Sequence, residues 1–145
     1  MITVKEINNR KDLKKAQEIR YEVFVIGQHV PLEDEVDEFE ISSTHYLAFL
    51  NNNPVGAARW RFTDKGVKLE RFAVLDAFRG RGVGSSMVER ILADIRKHPE
   101  AKGKQIYLHA QLNAIRLYRK FGFVKYGDMF DESGLMHYAM RLMEK

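Results

Sequence analysis

The stretch from residue 67 to residue 95 constrains this chain most. Val67, Leu69, Ala73 and Val74 belong to a strand-like run, residues 79–84 hold three glycines and two arginines, and Met87, Val88, Ile91, Leu92 and Ile95 recur at helical spacing. A strand that enters a helix through Arg79-Gly80-Arg81-Gly82-Val83-Gly84-Ser85 is a turn built for positive φ angles and close backbone approach. Several amide N–H groups can converge there on an anion, helped by the partial positive charge of the helix N-terminus. Arg79 and Arg81 add charge-assisted donors, so the turn asks for a phosphate-bearing ligand.

Spacing narrows the kind of phosphate loop. No Gly-x-x-x-x-Gly-Lys-Ser/Thr run is present, and Ser85 stands where Gly80 and Gly82 would need the third glycine of a dinucleotide fingerprint. Around this unit the chain alternates elements. Residues 2–7 read as a strand, and Asp12, read as the N-cap, opens a helix carrying Leu13, Ala16, Ile19, Val23 and Phe24. Residues 45–50 and 54–62 form a hairpin across Asn51-Asn52-Asn53-Pro54, and residues 104–109 make a short strand. A helix over residues 113–121 closes at Gly122, and strands over 123–126 and 137–142 follow. The 145 residues fit one α/β domain, residues 1–145, with a mixed, mostly antiparallel sheet flanked by helices expected.

Composition trims the function classes. Cysteine is absent, which removes disulfides, thiolate zinc sites and a cysteine acyl-enzyme. The five histidines show no i, i+4 pair, so no metal site is expected. A net charge of +4 without a Lys/Arg block gives no reason to expect nucleic acid. The first residues hold no signal-peptide core, and the longest apolar run, residues 46–50, cannot cross a bilayer. The expectation is a cytoplasmic protein with no membrane partner. Glu33, Asp34, Glu35, Asp37, Glu38 and Glu40 form one acidic run, read either as a solvated loop face or as a field that steers a cationic ligand.

Arg79-x-x-Gly82-x-Gly84 resembles the first signature of the GNAT acetyltransferase superfamily, and Asn113-Ala114, Leu117-Tyr118 and Gly122-Phe123 resemble its second. Arg20-x-x-Val23-Phe24-Val25-x-x-Gln28, Asp37, His45, Gly134-Leu135-x-His137 and Met140 resemble the small bacterial ElaA-like or YjcF-like branch. Many members of that branch carry Glu where this chain has Gly27, so a role for that carboxylate does not carry over.

The resemblance implies the acyl-CoA acyltransferase fold, with a sheet that splays between residues 67–74 and 104–109 around acetyl-CoA. Phe72, Ala73 and Val74 would pair with the pantetheine arm as an added strand. Arg79, Gly80, Arg81, Gly82, Val83, Gly84 and Ser85 would hold the pyrophosphate, and Asn113, unless it is an ordinary N-cap, the pantetheine. Tyr118 would protonate the leaving thiolate, as a neutral phenol can. The attacking ammonium must first lose a proton, and Glu70, His109 and His137 are the candidate bases, directly or through water. The two-residue strand period sets Glu70 on the face of Phe72 and so toward the cleft. The implied activity is direct acetyl transfer to a primary amine, of a small molecule or a lysine, with a homodimer, as in many relatives, one open arrangement. An acyl-homoserine-lactone-synthase-like transferase and a non-catalytic acyl-CoA-binding regulatory module stay open as alternatives.

Overall fold

A computed structural model describes residues 1–143. The strands are β1 (Ile2–Glu6), β2 (Thr44–Leu50), β3 (Asn53–Thr63), β4 (Gly66–Val74), β5 (Ile106–Gln111), β6 (Phe123–Glu132) and β7 (Leu135–Leu142). They form one sheet in the order β1-β2-β3-β4-β5-β7-β6, antiparallel everywhere except between β4 and β5. The helices are α1 (Arg10–Arg20), α2 (Leu32–Glu35), α3 (Val83–Lys97) and α4 (Ile115–Arg119). This is the mixed sheet with flanking helices that the sequence led us to expect.

The pleat sorts side chains into two cores. Tyr46, Ala48, Val55, Trp60, Val67 and Leu69 meet the apolar stripe of α3 (Met87, Val88, Ile91, Leu92, Ile95) and Tyr118 of α4 on one face. Leu47, Ala57 and Ala73 meet Ala16 and Ile19 of α1, with Val23, Phe24 and Val30, on the other. Burying these apolar side chains supplies about 25 cal/mol per Å² and holds both helix layers to the sheet.

Several local expectations change. Asn9, not Asp12, caps α1: its Oδ1 accepts the Asp12 amide at 2.8 Å. Asp12 instead sits in the first turn and pairs with Lys5 at 2.8 Å, a favourable place for an acid beside free helix amides. Beyond Arg20 the helix continues as a π-helical turn, Tyr21–Gly27. Residues 112–114 form a 3₁₀ turn, so α4 is shorter than the expected 113–121, and Asn113 makes no capping bond. β5 runs on to Gln111, which puts His109 inside the strand rather than at its end. The last two strands extend into a long hairpin.

The acidic run is neither a plain solvated face nor a free field. Arg20 and Arg59, 2% and 0% exposed, draw three of its carboxylates inward. Arg20 binds Glu35 at 2.5 Å and Glu40 at 2.7 Å, and Arg59 binds Asp37 at 2.6 Å and Glu40 at 2.9 Å. Burial disfavours the ionised acids, yet the guanidinium hydrogen bonds outweigh it and hold Asp37 and Glu40 below the usual carboxylate range. Glu33, Asp34 and Glu38 remain exposed. The network ties the segment after α1 to β3 and β4.

Candidate active site

β4 and β5 pair only at Val67↔Ile106, Lys68↔Tyr107 and Leu69↔Leu108. Past Leu69 they part, and the β5-facing edge of β4 is left without a strand partner. The gap opens into a cleft of about 550 Å³ that reaches both faces of the sheet. Its size suits a cofactor-sized ligand.

One irregularity decides what each face offers. The β3–β4 register shifts between Arg59↔Glu70 and Ala57↔Ala73, where Arg71 takes φ 60°. This is a β-bulge: one extra residue reverses the alternation that follows it. Phe72 and Val74 therefore join Val67 and Leu69 on the α3 face, while Glu70 lies on the α1 face. The expectation that Glu70 and Phe72 share a face is overturned for this reason.

On the α3 face the cleft is lined by Phe72, Val74, Phe78, Arg79, Gly80, Gly82, Val83, Gly84, Ser85, Asn113 and Tyr118. Gly80 and Gly82 take φ 76° and 88°, values L side chains rarely adopt, so these two positions need glycine for the turn itself. Gly82 is the N-cap of α3, and the amides of the first helical turn have no helical partner. Gly84 is helical; a Cβ there would stand 3.2 Å from Leu117 Cδ2, so its small size serves the approach of α4 to α3. Lys120 lines the same end and donates to Ser85 Oγ at 2.9 Å, a cation the motif reading passed over. Two expected residues lie off the cleft. The Ala73 side chain turns into the α1-side core and pairs with Ala57, and Arg81 stands exposed over the Phe78 ring at 5.7 Å. The loop geometry, the basic side chains and the unpaired strand edge fit a ligand with an extended amide arm and a pyrophosphate.

Tyr118 sits at the centre. Its ring, 6% exposed, contacts Phe72 and Phe123 edge-on, with centroids 5.8 and 6.0 Å away. Among the described residues its hydroxyl has no hydrogen-bond partner, and burial pushes the phenol above its usual value. A phenol in that state keeps its proton at neutral pH and has it to give.

The α1 face holds the candidate bases. His109 Nδ1 lies 2.9 Å from Glu132 Oε1, and His137 Nε2 lies 3.8 Å from Glu132 Oε2. The His109 hydrogen bond is the main reason Glu132 is held below the usual carboxylate range, against the opposing effect of burial. In the neutral tautomer that donates Nδ1–H to Glu132, the lone pair of His109 sits on Nε2. His137 Nδ1 bonds the Leu135 carbonyl at 2.8 Å, and its ring stacks on Phe130. Glu70 differs: both its oxygens accept from guanidiniums, Arg61 on one and Arg59 at 3.2 Å on the other. Burial disfavours its charge, but Arg59, Lys68 and Arg61 prevail and hold it low, so it is a poor proton acceptor. Gln28, just past the π-helical turn, makes a reciprocal amide pair with Gln111 of β5 at 2.9 and 3.2 Å.

Lys68, Lys120, Gln111 and Glu132 escaped sequence reading because no spacing rule marks a residue that a sheet brings to a site. Gln28 was visible only as part of the branch pattern.

The model of the acetyltransferase (GNAT) domain family matches residues 10–144. The uncharacterized N-acetyltransferase YjcF of Bacillus subtilis is 38% identical over 133 residues, covering 91% of this chain and 93% of that protein. The crystal structure of Escherichia coli ElaA superposes with a TM-score of 0.86 at 27% identity, covering 99% of this chain and 100% of that one. An acyl-CoA N-acyltransferase from Pseudomonas aeruginosa gives 0.83 at 26% identity, with 99% of each chain covered. The motifs, the splayed sheet and these likenesses agree, and the chain belongs to the acetyltransferase (GNAT) family, in its ElaA- and YjcF-like branch.

Proposed function

We propose that this protein is an N-acetyltransferase that moves an acetyl group from acetyl-CoA directly to a primary amine while both are bound. The observation that carries the reading is Tyr118, a buried side chain whose hydroxyl has no partner among the described residues, in the gap between β4 and β5. The phosphate-holding turn lies on one side of that gap and the His109–Glu132 pair on the other.

The chemistry follows from the groups present. The acceptor ammonium loses a proton to His109 Nε2, whose other nitrogen is fixed by Glu132. The free amine attacks the thioester carbonyl carbon, a C–N bond forms, the C–S bond breaks, Tyr118 delivers its proton to the departing sulfur, and the second proton on the nitrogen returns through water to the Tyr118 phenolate. Two proton transfers by positioned groups each contribute roughly 10²- to 10⁴-fold. His137, also close to Glu132, is the second candidate base, and Glu70 is assigned to the ion network.

The test is thiol release from acetyl-CoA with pooled primary amines, followed by the mass of the acetylated product. Intact-protein mass should show no acetyl adduct on the enzyme. His109→Ala should lower kcat on the order of 10²-fold, and the deficit should shrink as pH rises toward the pKa of an alkyl amine, near ~10.4. A CoA-binding protein that releases no thiol with any amine, or a His109→Ala deficit that ignores pH, would count against the reading.

A further inference from the structure

On the α1 face the hydrogen-bond demand left unmet is for an anion. Of the carboxylates lining it, Glu35 is served by Arg20, Glu70 by Arg59 and Arg61, and Glu132 by His109, while Asp34 is exposed to solvent. The cations are served only in part. Lys68 lines the cleft with its side chain 14% exposed, and among the described residues its ammonium makes no hydrogen bond. Within 4 Å its one acidic neighbour there is Glu70 Oε2 at 3.9 Å, an oxygen that already accepts from Arg59. Arg71, another cleft residue, gives its Nη2 to Asp37 and to the Asp34 and Glu35 carbonyls, and among the described residues only its buried Nε lacks a partner.

Placement decides what such an anion belongs to. Lys68 pairs with Tyr107 across the short parallel stretch, and His109 lies two residues further along the same face of β5. The two backbone positions are therefore on the order of 8 Å apart, a span that a short bifunctional molecule bridges once both side chains reach inward. A molecule with its amine against His109 thus presents its other end to Lys68.

Resting on the acetyltransferase reading above, we propose that the acceptor is a small primary amine that also carries a carboxylate, which Lys68 holds while the amine faces His109. A bare cationic amine or a polyamine would leave the Lys68 ammonium unpaired and bring a second positive charge near it. That arrangement is repulsive in a partly desolvated cleft.

The test compares matched acceptors in the thiol-release assay: glycine, β-alanine and 4-aminobutyrate against methylamine, ethylamine, propylamine and putrescine, each rate referred to its free-amine concentration. We expect one amino acid to exceed its carboxyl-free counterpart in kcat/KM by roughly 10- to 100-fold, the worth of one charge-assisted hydrogen bond. Lys68→Met should raise the KM of that acceptor by a similar factor and leave the KM of acetyl-CoA alone, and Lys68→Arg should recover part of the loss. A CoA-induced rise in melting temperature in Lys68→Met shows that the variant is folded. Preference for the plain amines or putrescine, turnover of no acceptor in the panel, or an unchanged acceptor KM in Lys68→Met overturns the proposal. Turnover of plain amines alone overturns only this proposal. Failure of the wild-type protein to bind CoA overturns the acetyltransferase reading itself.

Discussion

Tyr118→Phe separates stability from chemistry. The substitution keeps the ring contacts with Phe72 and Phe123 and removes only the hydroxyl, which has no partner among the described residues. An unpartnered buried polar group costs roughly 1–3 kcal/mol, and because the cleft gives this hydroxyl some access to water, the low end applies. The free protein should therefore be unchanged or more stable by up to about 1 kcal/mol, a rise of at most roughly 2–5 °C in Tm for a domain of this size. Turnover should move the other way. Without the proton donor, kcat should fall on the order of 10²-fold, equivalent to about 2.7 kcal/mol in the barrier. Urea unfolding of the free protein measures the first effect and single-turnover acetyl transfer the second. An aryl thioester, whose thiolate needs less protonation, should show a smaller penalty than acetyl-CoA. A clear loss of stability would mean the hydroxyl has a structural partner. Equal penalties with both donors, or wild-type turnover, would remove Tyr118 as the acid.

Gly84→Val should push its added methyls into Leu117, cost about 1–3 kcal/mol from overpacking and weaken CoA binding; normal Tm and affinity would refute this. Arg59→Met leaves Asp37, Glu40 and Glu70 without their shared cation, and should cost up to about 3–5 kcal/mol in urea unfolding. Adding Asp37→Asn and Glu70→Gln should recover part of that loss, and no recovery would refute the network account. Burial lowers the pKa of His45 despite its 2.7 Å bond to the Glu40 carbonyl, so the unfolded chain takes up that proton first. Stability should begin to fall as pH drops below about 6.5 and fall further below about 4, where the unfolded chain protonates Asp37, Glu40 and Glu70 while the fold still holds them ionised. His45→Gln should remove the upper leg of that profile, as followed by Tm against pH.

Sequence reading went furthest where local chemistry and topology agree. The turn before α3 and the Asn51–Pro54 hairpin are both written in glycine, asparagine and proline, and both appear where expected. Tyr118 was legible because its neighbours in the chain form a signature. The acidic run was misjudged because its fate depends on Arg20 and Arg59, one on a helix and the other on a strand, and nothing in the run records that pairing. His109 and His137 could not be ranked against Glu70 because their shared partner, Glu132, reaches them only through the β6–β7 hairpin. The sequence marks Asp12 as the cap because it directly precedes the first apolar residue of α1, whereas the capping bond comes from three residues earlier.

The bulge at Arg71 works as a frame shift in β4. Ahead of it, odd-numbered positions, Val67 and Leu69, must be apolar to fill the α3-side core, and even-numbered ones may be charged. Behind it the parity inverts: Phe72 and Val74 fill that core. A saturation scan along the strand should therefore show its tolerance pattern switch phase at residue 71. Straightening the strand with residue 71 kept would turn Phe72 and Val74 away from Tyr118, whereas deleting that one residue would give a regular strand with both still facing it, so the register of β4 depends on the bulge that absorbs the extra residue.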